Sequence, residues 1–433
     1  MTQEAGKKVD PGFYTKSNFG LKGWIMIIFV GLMLFYCTAL TNDGMNVAVP
    51  AIAEEKGWDY ATILAYGTPA GFITVIAFFL LSILTDKKGA KFVTALCLVA
   101  TGLSTIWFGN AGSQMQYFLA LTCVSIFSQG CAWIGGGAYL AKWFPKKKGL
   151  ALGWATMGNN LASALVVPIL SGLMVLTGTF ATTTVIFGIV IVLTVVFCFF
   201  LPNNPEDAGT TPDNYPMQPN EIEAYRAEAN AYVSPWTMGK LLKKKETWLI
   251  TLVLGITMMT STGIMSQLVT RLSGAEIGWS STKAITTMTV VAVIGIVGSY
   301  IWGVLDQKIS TKKTVFIFML WYGVAILLNI VPGKIPVYIS LFMIGMAIGG
   351  NANWPVSLVS SVFGHQNFAK VYSIVMPLYT LIRCCSFSVL ALFIGQTGSL
   401  AGAYILFALL SFAGAVLTLF INDRKYADGT LGN

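Results

Sequence analysis

Two ionisable side chains, Arg383 and Asp43, lie inside long apolar stretches of a 433-residue sequence in which only 10% of residues are charged. Arg383 lies near the centre of one such stretch. A charge at the centre of a membrane-spanning helix costs about 2.5–3.5 kcal/mol, so it normally faces other helices or a wet cavity. Because a guanidinium can bind a carboxylate through two parallel hydrogen bonds, Arg383 is a candidate anchor for an anion. A purely structural arginine is the alternative.

Asp43 belongs to the sequence Thr41-Asn42-Asp43-Gly44. Asp43 lies about 28 Å along a helix counted from Trp24, at 1.5 Å per residue. This distance predicts a position toward the outer half of the membrane. The carboxyl group could bind a proton for a proton-coupled mechanism, neutralise Arg383 or meet an amine on a substrate. It could equally be an acid at the outer rim, since an exchange mechanism needs no proton-binding group.

Weaker candidates for a binding cavity are polar or aromatic residues inside other apolar stretches. Tyr379 lies one turn before Arg383 on the same helical stripe. Membrane-helix aromatics are often packing residues, and amides can join helices by hydrogen bonds, so each of these also has a structural interpretation. The predicted substrate-binding set is Arg383, Tyr379, Asn42, Gln129, Trp133, Asn159, Asn353 and Trp354.

Enzymatic and ATP-driven functions find no support in the motifs. No nucleophile–base pair stands out, and the seven cysteines form no C-x-x-C pair. The sequence also lacks G-x-x-x-x-G-K-[ST], the loop that binds nucleotide phosphates. We therefore expect no catalytic residues, no metal site and no cofactor.

The helices that must position these residues follow from composition. Hydrophobic residues make up 55% of the chain, whereas soluble proteins carry about 25% charged residues, far more than this chain. A membrane-spanning helix needs roughly 20 apolar residues. The sequence predicts an all-α membrane protein with twelve spans, at approximately 23–50, 61–84, 92–110, 116–140, 149–176, 180–201, 247–270, 284–304, 314–331, 336–361, 370–395 and 400–421.

The distribution of basic residues predicts the orientation. If the N-terminus is cytoplasmic, 22 of the 27 Lys and Arg residues lie in cytoplasmic segments and four on the opposite side. The positive-inside rule then places both termini in the cytoplasm. This distribution explains the net charge of +9 without a nucleic-acid partner. We expect a multi-pass protein of the cell membrane, in contact with lipid.

An internal repeat divides the chain. The loops around Asp86 and Asp306 are similar, and these acids are 220 residues apart, which predicts two six-helix halves with substrate bound between them. Acids and bases in such loops could form ion pairs that close one end, so Asp86, Lys87, Lys91, Asp306 and Lys308 are candidate gating residues. The predicted division is a tail at 1–22, bundles at 23–201 and 247–421, a linker at 202–246 and a tail at 422–433.

The loop Asp86-Lys87-Lys88-Gly89-Ala90-Lys91 resembles the signature between the second and third helices of the major facilitator superfamily. The sequence Trp143-Phe144-Pro145, with the basic residues and Gly149-Leu150-Ala151 that follow, resembles the oxalate/formate antiporter and monocarboxylate-porter branch. Oxalate transport in that branch uses two cations, and the matching positions here are Ser299 and Tyr379. The resemblance therefore disfavours oxalate and leaves Arg383 as one cation for a single acid group.

Together these features predict a secondary active transporter of a small organic anion, which we expect to be a carboxylate. It would act by alternating access as an exchanger or proton symporter, with a counter-anion or protons as the coupled species, and as a monomer. One alternative is a proton-coupled porter for an amphipathic or zwitterionic compound. A transporter-like sensor, which binds a ligand without moving it, is a further alternative.

Overall fold

The computed structural model describes residues 13, 16–231, 234–364, 367–423 and 425–426. Within these residues, twelve helices are long and apolar enough to cross a membrane, which confirms the predicted all-α class and number of spans. Most of the predicted tails, residues 1–12 and 427–433, lie outside the described residues. In order, spans 1 to 12 are Gly20–Asp43, Tyr60–Lys88, Ala90–Gly109, Gln114–Trp143, Lys148–Thr177, Phe180–Phe200, Lys245–Ser266, Ser281–Ile309, Thr311–Leu328, Lys334–Asn351, Lys370–Thr397 and Ala401–Leu419.

The two halves repeat the same packing. Spans 1 and 5, 2 and 4, and 3 and 6 are paired in the first half. Spans 7 and 11, 8 and 10, and 9 and 12 are paired in the second half. Between the halves, span 5 packs against span 8 and span 2 packs against span 11. The repeated loops therefore belong to repeated bundles.

Glycine pairs allow the tightest contacts within each half. A Cβ atom on Gly158 of span 5 would lie 1.9 Å from the carbonyl oxygen of Gly31 on span 1. A Cβ atom on Gly349 of span 10 would lie 1.8 Å from the carbonyl oxygen of Gly295 on span 8. Backbone contact at such points is typical of membrane helices, in which dispersion rather than water exclusion drives association.

The bundle has two distinct ends. We call the end with the loops at 89, 144–147 and 310 the basic end, and the end with the loops at 57–59, 110–113 and 274–280 the far end. All the hydrogen bonds described between spans of opposite halves lie at the far end or near mid-depth. Toward the basic end, a cavity of about 450 Å³ separates spans 5 and 8. The two halves are thus hydrogen-bonded together at the far end, whereas spans 5 and 8 are apart toward the basic end.

The linker folds against the basic end of both halves. Its helix Ile222–Ala231 packs beside the first half, where the buried carboxylate of Asp213 accepts hydrogen bonds from the backbone N–H groups of Lys146 and Lys147 at 3.0 and 2.9 Å. Farther along, the indole ring of Trp236 packs on Phe363 of the second half with ring centroids 5.1 Å apart.

Candidate functional site

Arg383 lies near the middle of the helix Phe368–Thr397, which contains Pro377 in its interior. Its side chain is partly exposed. The guanidinium makes no ion pair with any acid among the described residues. A partly accessible cation without a fixed counter-charge is unusual at membrane depth, because its charge is compensated only by polar groups or by something that binds.

The groups around Arg383 come from both halves of the protein. On its own helix, the hydroxyl groups of Tyr372 and Tyr379 are hydrogen-bonded to each other at 3.0 Å and interact electrostatically with the guanidinium. From span 1, the Cys37 thiol lies close enough to interact electrostatically with Arg383, and the Trp133 side chain of span 4 lies beside this thiol. Of the predicted residues, Tyr379 therefore lies beside Arg383, and Trp133 lies beside Cys37 in the first half.

Irregular turns occur within span 1 and span 4. The α-helix of span 1 gives way to a π-helical turn at Ala39–Asp43, and span 4 contains another at Gly130–Gly135. These turns hold Asn42 and Asp43 in span 1 and Trp133 in span 4. π-helical turns occur frequently at functional sites, and irregular backbone at membrane depth is tolerated where it is buried in protein or lines a cavity.

Asp43 is buried, with 0% of its surface exposed. Its Oδ1 accepts a hydrogen bond from the Asn42 side-chain amide at 2.9 Å, and its Oδ2 accepts one from the Ser163 hydroxyl at 2.5 Å. Asp43 and Arg383 do not form an ion pair. The carboxyl group is therefore enclosed within the first half and held by neutral donors, away from the exposed outer rim.

Three other predicted amides lie in the first half beside this region. Asn159 accepts a hydrogen bond from the Thr38 hydroxyl at 2.9 Å, next to Cys37. The side-chain oxygen of Asn42 is buried and has no hydrogen-bond partner among the described residues. Gln129 is 4% exposed and directly precedes the π-helical turn of span 4. Asn42 therefore keeps one free acceptor, whereas the Asn159 oxygen is already engaged.

Asn353 and Trp354 follow span 10, where the helix Lys334–Asn351 ends and the helix Trp354–Phe363 begins. The Asn353 amide donates to the Ser299 carbonyl of span 8 at 3.1 Å. Trp354 is fully buried, and its ring packs on Phe318 with centroids 5.0 Å apart. The structure thus places Trp354 in the core of the second half and gives Asn353 a packing role between two spans.

The predicted gating residues form no ion pair with each other among the described residues. Asp86 and Lys87 are exposed, and Lys308 is exposed at the corresponding loop of the second half. Lys91 instead donates to the carbonyl oxygens of Phe199 and Leu201 at the end of span 6. Absent ion pairs agree with a conformation in which the halves are apart at this end.

Sequence inspection did not single out Asn46, which makes two hydrogen bonds between the halves. Asn46 is 3% exposed, and its amide donates to the Met265 carbonyl at 2.6 Å and accepts from the Val269 N–H at 2.8 Å. These backbone groups flank the point where the helix of span 7 ends and the helix Leu268–Ser273 begins. The available signal was an amide three residues after Asp43 in an apolar stretch.

A second contact at the far end joins Tyr60 of span 2 to Gln267 and, at 3.3 Å, to Thr270. Nearer the middle, the Thr68 hydroxyl donates to the Cys384 carbonyl at 2.7 Å, adjacent to Arg383 in sequence. Span 2 therefore carries both the Tyr60 contact at the far end and the Thr68 contact beside Arg383.

A sequence model of the Major Facilitator Superfamily matches residues 25–386 and 247–432. The chain belongs to this superfamily. The superfamily consists of transporters rather than enzymes, and the repeated bundles, the far-end closure and the twelve spans describe a multi-pass transporter of this kind.

Known members of the superfamily are similar to this chain at different levels. The uncharacterized MFS-type transporter YhjX of Escherichia coli K12 is 22% identical over 372 residues, covering 83% of this chain and 86% of YhjX. A protein of Chlamydia trachomatis named "Probable hexose phosphate transport protein" is 24% identical over 227 residues, covering 52% of this chain and 47% of that protein. A crystal structure of a D-xylose–proton symporter has the same fold, with a TM-score of 0.70 at 12% identity over 95% of this chain and 99% of the symporter.

Proposed function

We propose that this superfamily member is a secondary active transporter of a small organic anion and that Arg383 binds the acid group of the substrate. The observation that carries the proposal is the partly exposed guanidinium at the interface between the halves, with no acid partner among the described residues. An anionic substrate would supply the missing counter-charge and could accept two parallel hydrogen bonds from the planar donor group.

The neighbouring groups support recognition of a small polar molecule. The hydroxyl groups of Tyr372 and Tyr379 lie on the Arg383 side, and the Trp133 indole and Cys37 thiol lie on the side of the first half. A substrate held between them would contact both halves at once. Binding groups from both halves are what a transporter needs if closing around its substrate is to reorganise the interface.

Two chemical classes of anion fit the single cation. The resemblance of the Trp143-Phe144-Pro145 loop to the oxalate/formate and monocarboxylate branch favours a monocarboxylate. The printed name of the Chlamydia trachomatis relative favours a sugar phosphate. Both classes present oxygen acceptors that a guanidinium can bind through two parallel hydrogen bonds. We therefore propose an anionic substrate, and a ligand screen would identify which anion it is.

The conformation supports a path toward the basic end. Asn46 and Tyr60 close the far end, and spans 5 and 8 are separated toward the basic end, so a substrate would reach Arg383 from the basic end. If the basic end is cytoplasmic, as the lysine distribution predicts, this is an inward-facing state. Transport would alternate it with a state in which the far-end contacts break and the basic-end loops meet.

A proton-coupled porter for a zwitterionic or amphipathic compound is the second candidate, and Asp43 is the observation that favours it. Its carboxyl group is buried at 0% exposure without a cationic partner, so it could accept a proton during transport. The two candidates differ in whether uptake needs a proton gradient.

The experiment has two steps. A thermal-shift screen of the purified protein against carboxylates and sugar phosphates should identify ligands that stabilise it, because binding to the folded state raises its stability by mass action. Counterflow of a labelled ligand into proteoliposomes then tests transport. Exchange without a proton gradient supports the exchanger, whereas strict dependence on the gradient supports the second candidate. Ligand binding without any movement would instead identify a sensor.

A further inference from the structure

The second half contains a pocket of about 810 Å³ at the basic end, away from Arg383. Three lysines line it, Lys308, Lys312 and Lys313, and the acid Asp423 also contributes to its wall. Ser310 and the apolar side chains Ile309, Phe316, Ile317 and Leu419 form the remaining surface. The pocket therefore combines an excess of positive charge with an apolar wall.

The ammonium groups of these lysines have no partner among the described residues. Lys308, Lys312 and Lys313 make no ion pair, and their side chains make no hydrogen bond, with another residue in the described part of the chain. Three cations around one cavity repel each other, and an anion inside the cavity would relieve that repulsion.

Comparison with the first half shows that the corresponding place is filled there by an internal contact. Lys91 donates to the carbonyl oxygens of Phe199 at 3.2 Å and Leu201 at 3.0 Å, at the end of span 6. The repeat offset of 220 residues, set by Asp86 and Asp306, pairs Phe199 with Leu419 at the end of span 12. Leu419 lines the pocket. The second half thus has an open cavity where the first half has a lysine bound to carbonyl groups.

The depth of the pocket identifies the kind of molecule that reaches it. Ile309 is the last residue of span 8, Thr311 is the first of span 9, and Leu419 is the last of span 12. The pocket therefore lies at the boundary between hydrocarbon and water. Ile317 and Leu419 are 42% and 51% exposed, and at this depth the surroundings they face are lipid.

We propose that this pocket binds an anionic phospholipid, with its phosphate among Lys308, Lys312 and Lys313 and an acyl chain along Ile317 and Leu419. Basic pockets between helices at the cytoplasmic membrane surface are suited to lipid headgroups. The continuous path from three cations to lipid-facing apolar side chains selects a molecule with both parts. A free phosphate ion would use only the cations.

Binding can be measured independently of transport. The full-length protein in detergent is titrated with phosphatidylglycerol and monitored by native mass spectrometry and thermal shift. Phosphatidylcholine serves as the zwitterionic control lipid, and inorganic phosphate tests the free-anion source. The variants are the triple substitution K308Q/K312Q/K313Q, the charge-preserving K308R/K312R/K313R, and K87Q/K88Q in the equivalent loop of the first half.

The expected result is selective retention of phosphatidylglycerol by the native protein, weakened on the order of 100-fold in the Gln triple variant, since each basic residue near an anionic surface contributes roughly a factor of five. The Arg triple and K87Q/K88Q variants should bind as the native protein does. Equal binding by the Gln triple variant, or equal protection by inorganic phosphate alone, would overturn the proposal. If the Gln triple does not fold, loss of binding in the Arg triple would also overturn it.

Discussion

Two arginines of the second half, Arg271 and Arg383, differ in their burial and in whether an acid pairs with them. Arg271, at the far end, is 5% exposed. It forms an ion pair with Glu276, donates to the side-chain and backbone oxygens of Asn329 at 3.2 Å each, and lies over the ring of Tyr404. Arg383, at mid-depth, is partly exposed and has no acid partner among the described residues.

The difference is the one expected if Arg271 is structural and Arg383 binds the substrate, as proposed above. The contacts of Arg271 join the helix Leu268–Ser273 to the loop after span 9 and, through the Ser399 hydroxyl on Glu276, to the loop before span 12. Its donors are used within the fold. Arg383 has no acid partner among the described residues, so we expect substitution at the two sites to affect different properties.

The largest expected effect is on transport in Arg383→Gln. Removing the cation should reduce counterflow of an anionic substrate on the order of 100-fold, because hydrogen bonds to charged groups contribute about 1.5–3 kcal/mol each. Thermal stability without substrate should hold or rise, since an uncompensated charge at membrane depth is costly. Undiminished counterflow in reconstituted Arg383→Gln would remove this residue from substrate binding.

Arg271→Gln should show the converse pattern. Loss of the ion pair and of the bonds to Asn329 should lower stability by about 2 kcal/mol, less than for a fully buried pair because Glu276 is 44% exposed. Substrate affinity should change less than threefold. The measurement is thermal unfolding in detergent together with a binding titration. A large loss of affinity at unchanged stability would make the contrast between the arginines untenable.

Asn46→Ala tests whether the far end opens. Its amide makes one contact to the backbone of span 7 and one to the backbone of the helix Leu268–Ser273. Each hydrogen bond contributes about 0.5–1.5 kcal/mol, so the far-closed state should lose roughly tenfold in relative population. Hydrogen exchange of the amides at 265–272 should accelerate accordingly. The matched control is Asn110→Ala, also at the far end, whose amide bonds only to carbonyl groups of the first half. Equal acceleration in both variants would argue against a specific role for Asn46.

Asp43→Asn tests the other ionisable group of the interior. An asparagine keeps one acceptor oxygen but presents an amide to either Asn42 or Ser163, which should cost about 1 kcal/mol of stability. Because Arg383 is the proposed anchor, exchange of the anion should persist. Loss of net proton-driven uptake with exchange intact would favour the proton-coupled candidate, and loss of exchange itself would show that Asp43 is needed for more than coupling.

The smallest expected effect is the acid sensitivity of the Arg271 contact. Hydrogen bonds from Ser399 and Arg271 lower the pKa of the Glu276 carboxyl. A lowered pKa means that the ion pair stabilises the folded state above the ordinary value of about 4.3 and that this contribution is lost as pH falls through the lowered value. Glu276→Gln should therefore flatten the acid side of the stability profile by less than 1 kcal/mol. An unchanged slope would show that Glu276 adds nothing measurable.

The sequence predicted the features that depend on composition and spacing. Hydropathy located twelve spans, and Arg383 was conspicuous because the neighbouring residues of its span are uncharged. Arg271 is one of the four basic residues on the side opposite the predicted cytoplasmic segments, and its burial follows only when Asn329 and Tyr404, from distant parts of the chain, pack around it. The bond from Ser163 to Asp43 and the bridge of Asn46 to span 7 likewise join residues 120 or more positions apart, which no local pattern encodes.

Whether Arg383 recognises the charge of the substrate is tested most directly by the affinities of two ligands that differ only in charge. Titrations would compare an anionic ligand with its neutral amide analogue in the native protein, Arg383→Gln and Arg271→Gln. We predict that the native protein and Arg271→Gln bind the anion on the order of 100-fold more tightly than the neutral amide. Arg383→Gln should bind both compounds with similar affinity. An undiminished preference for the anion in Arg383→Gln would contradict the account.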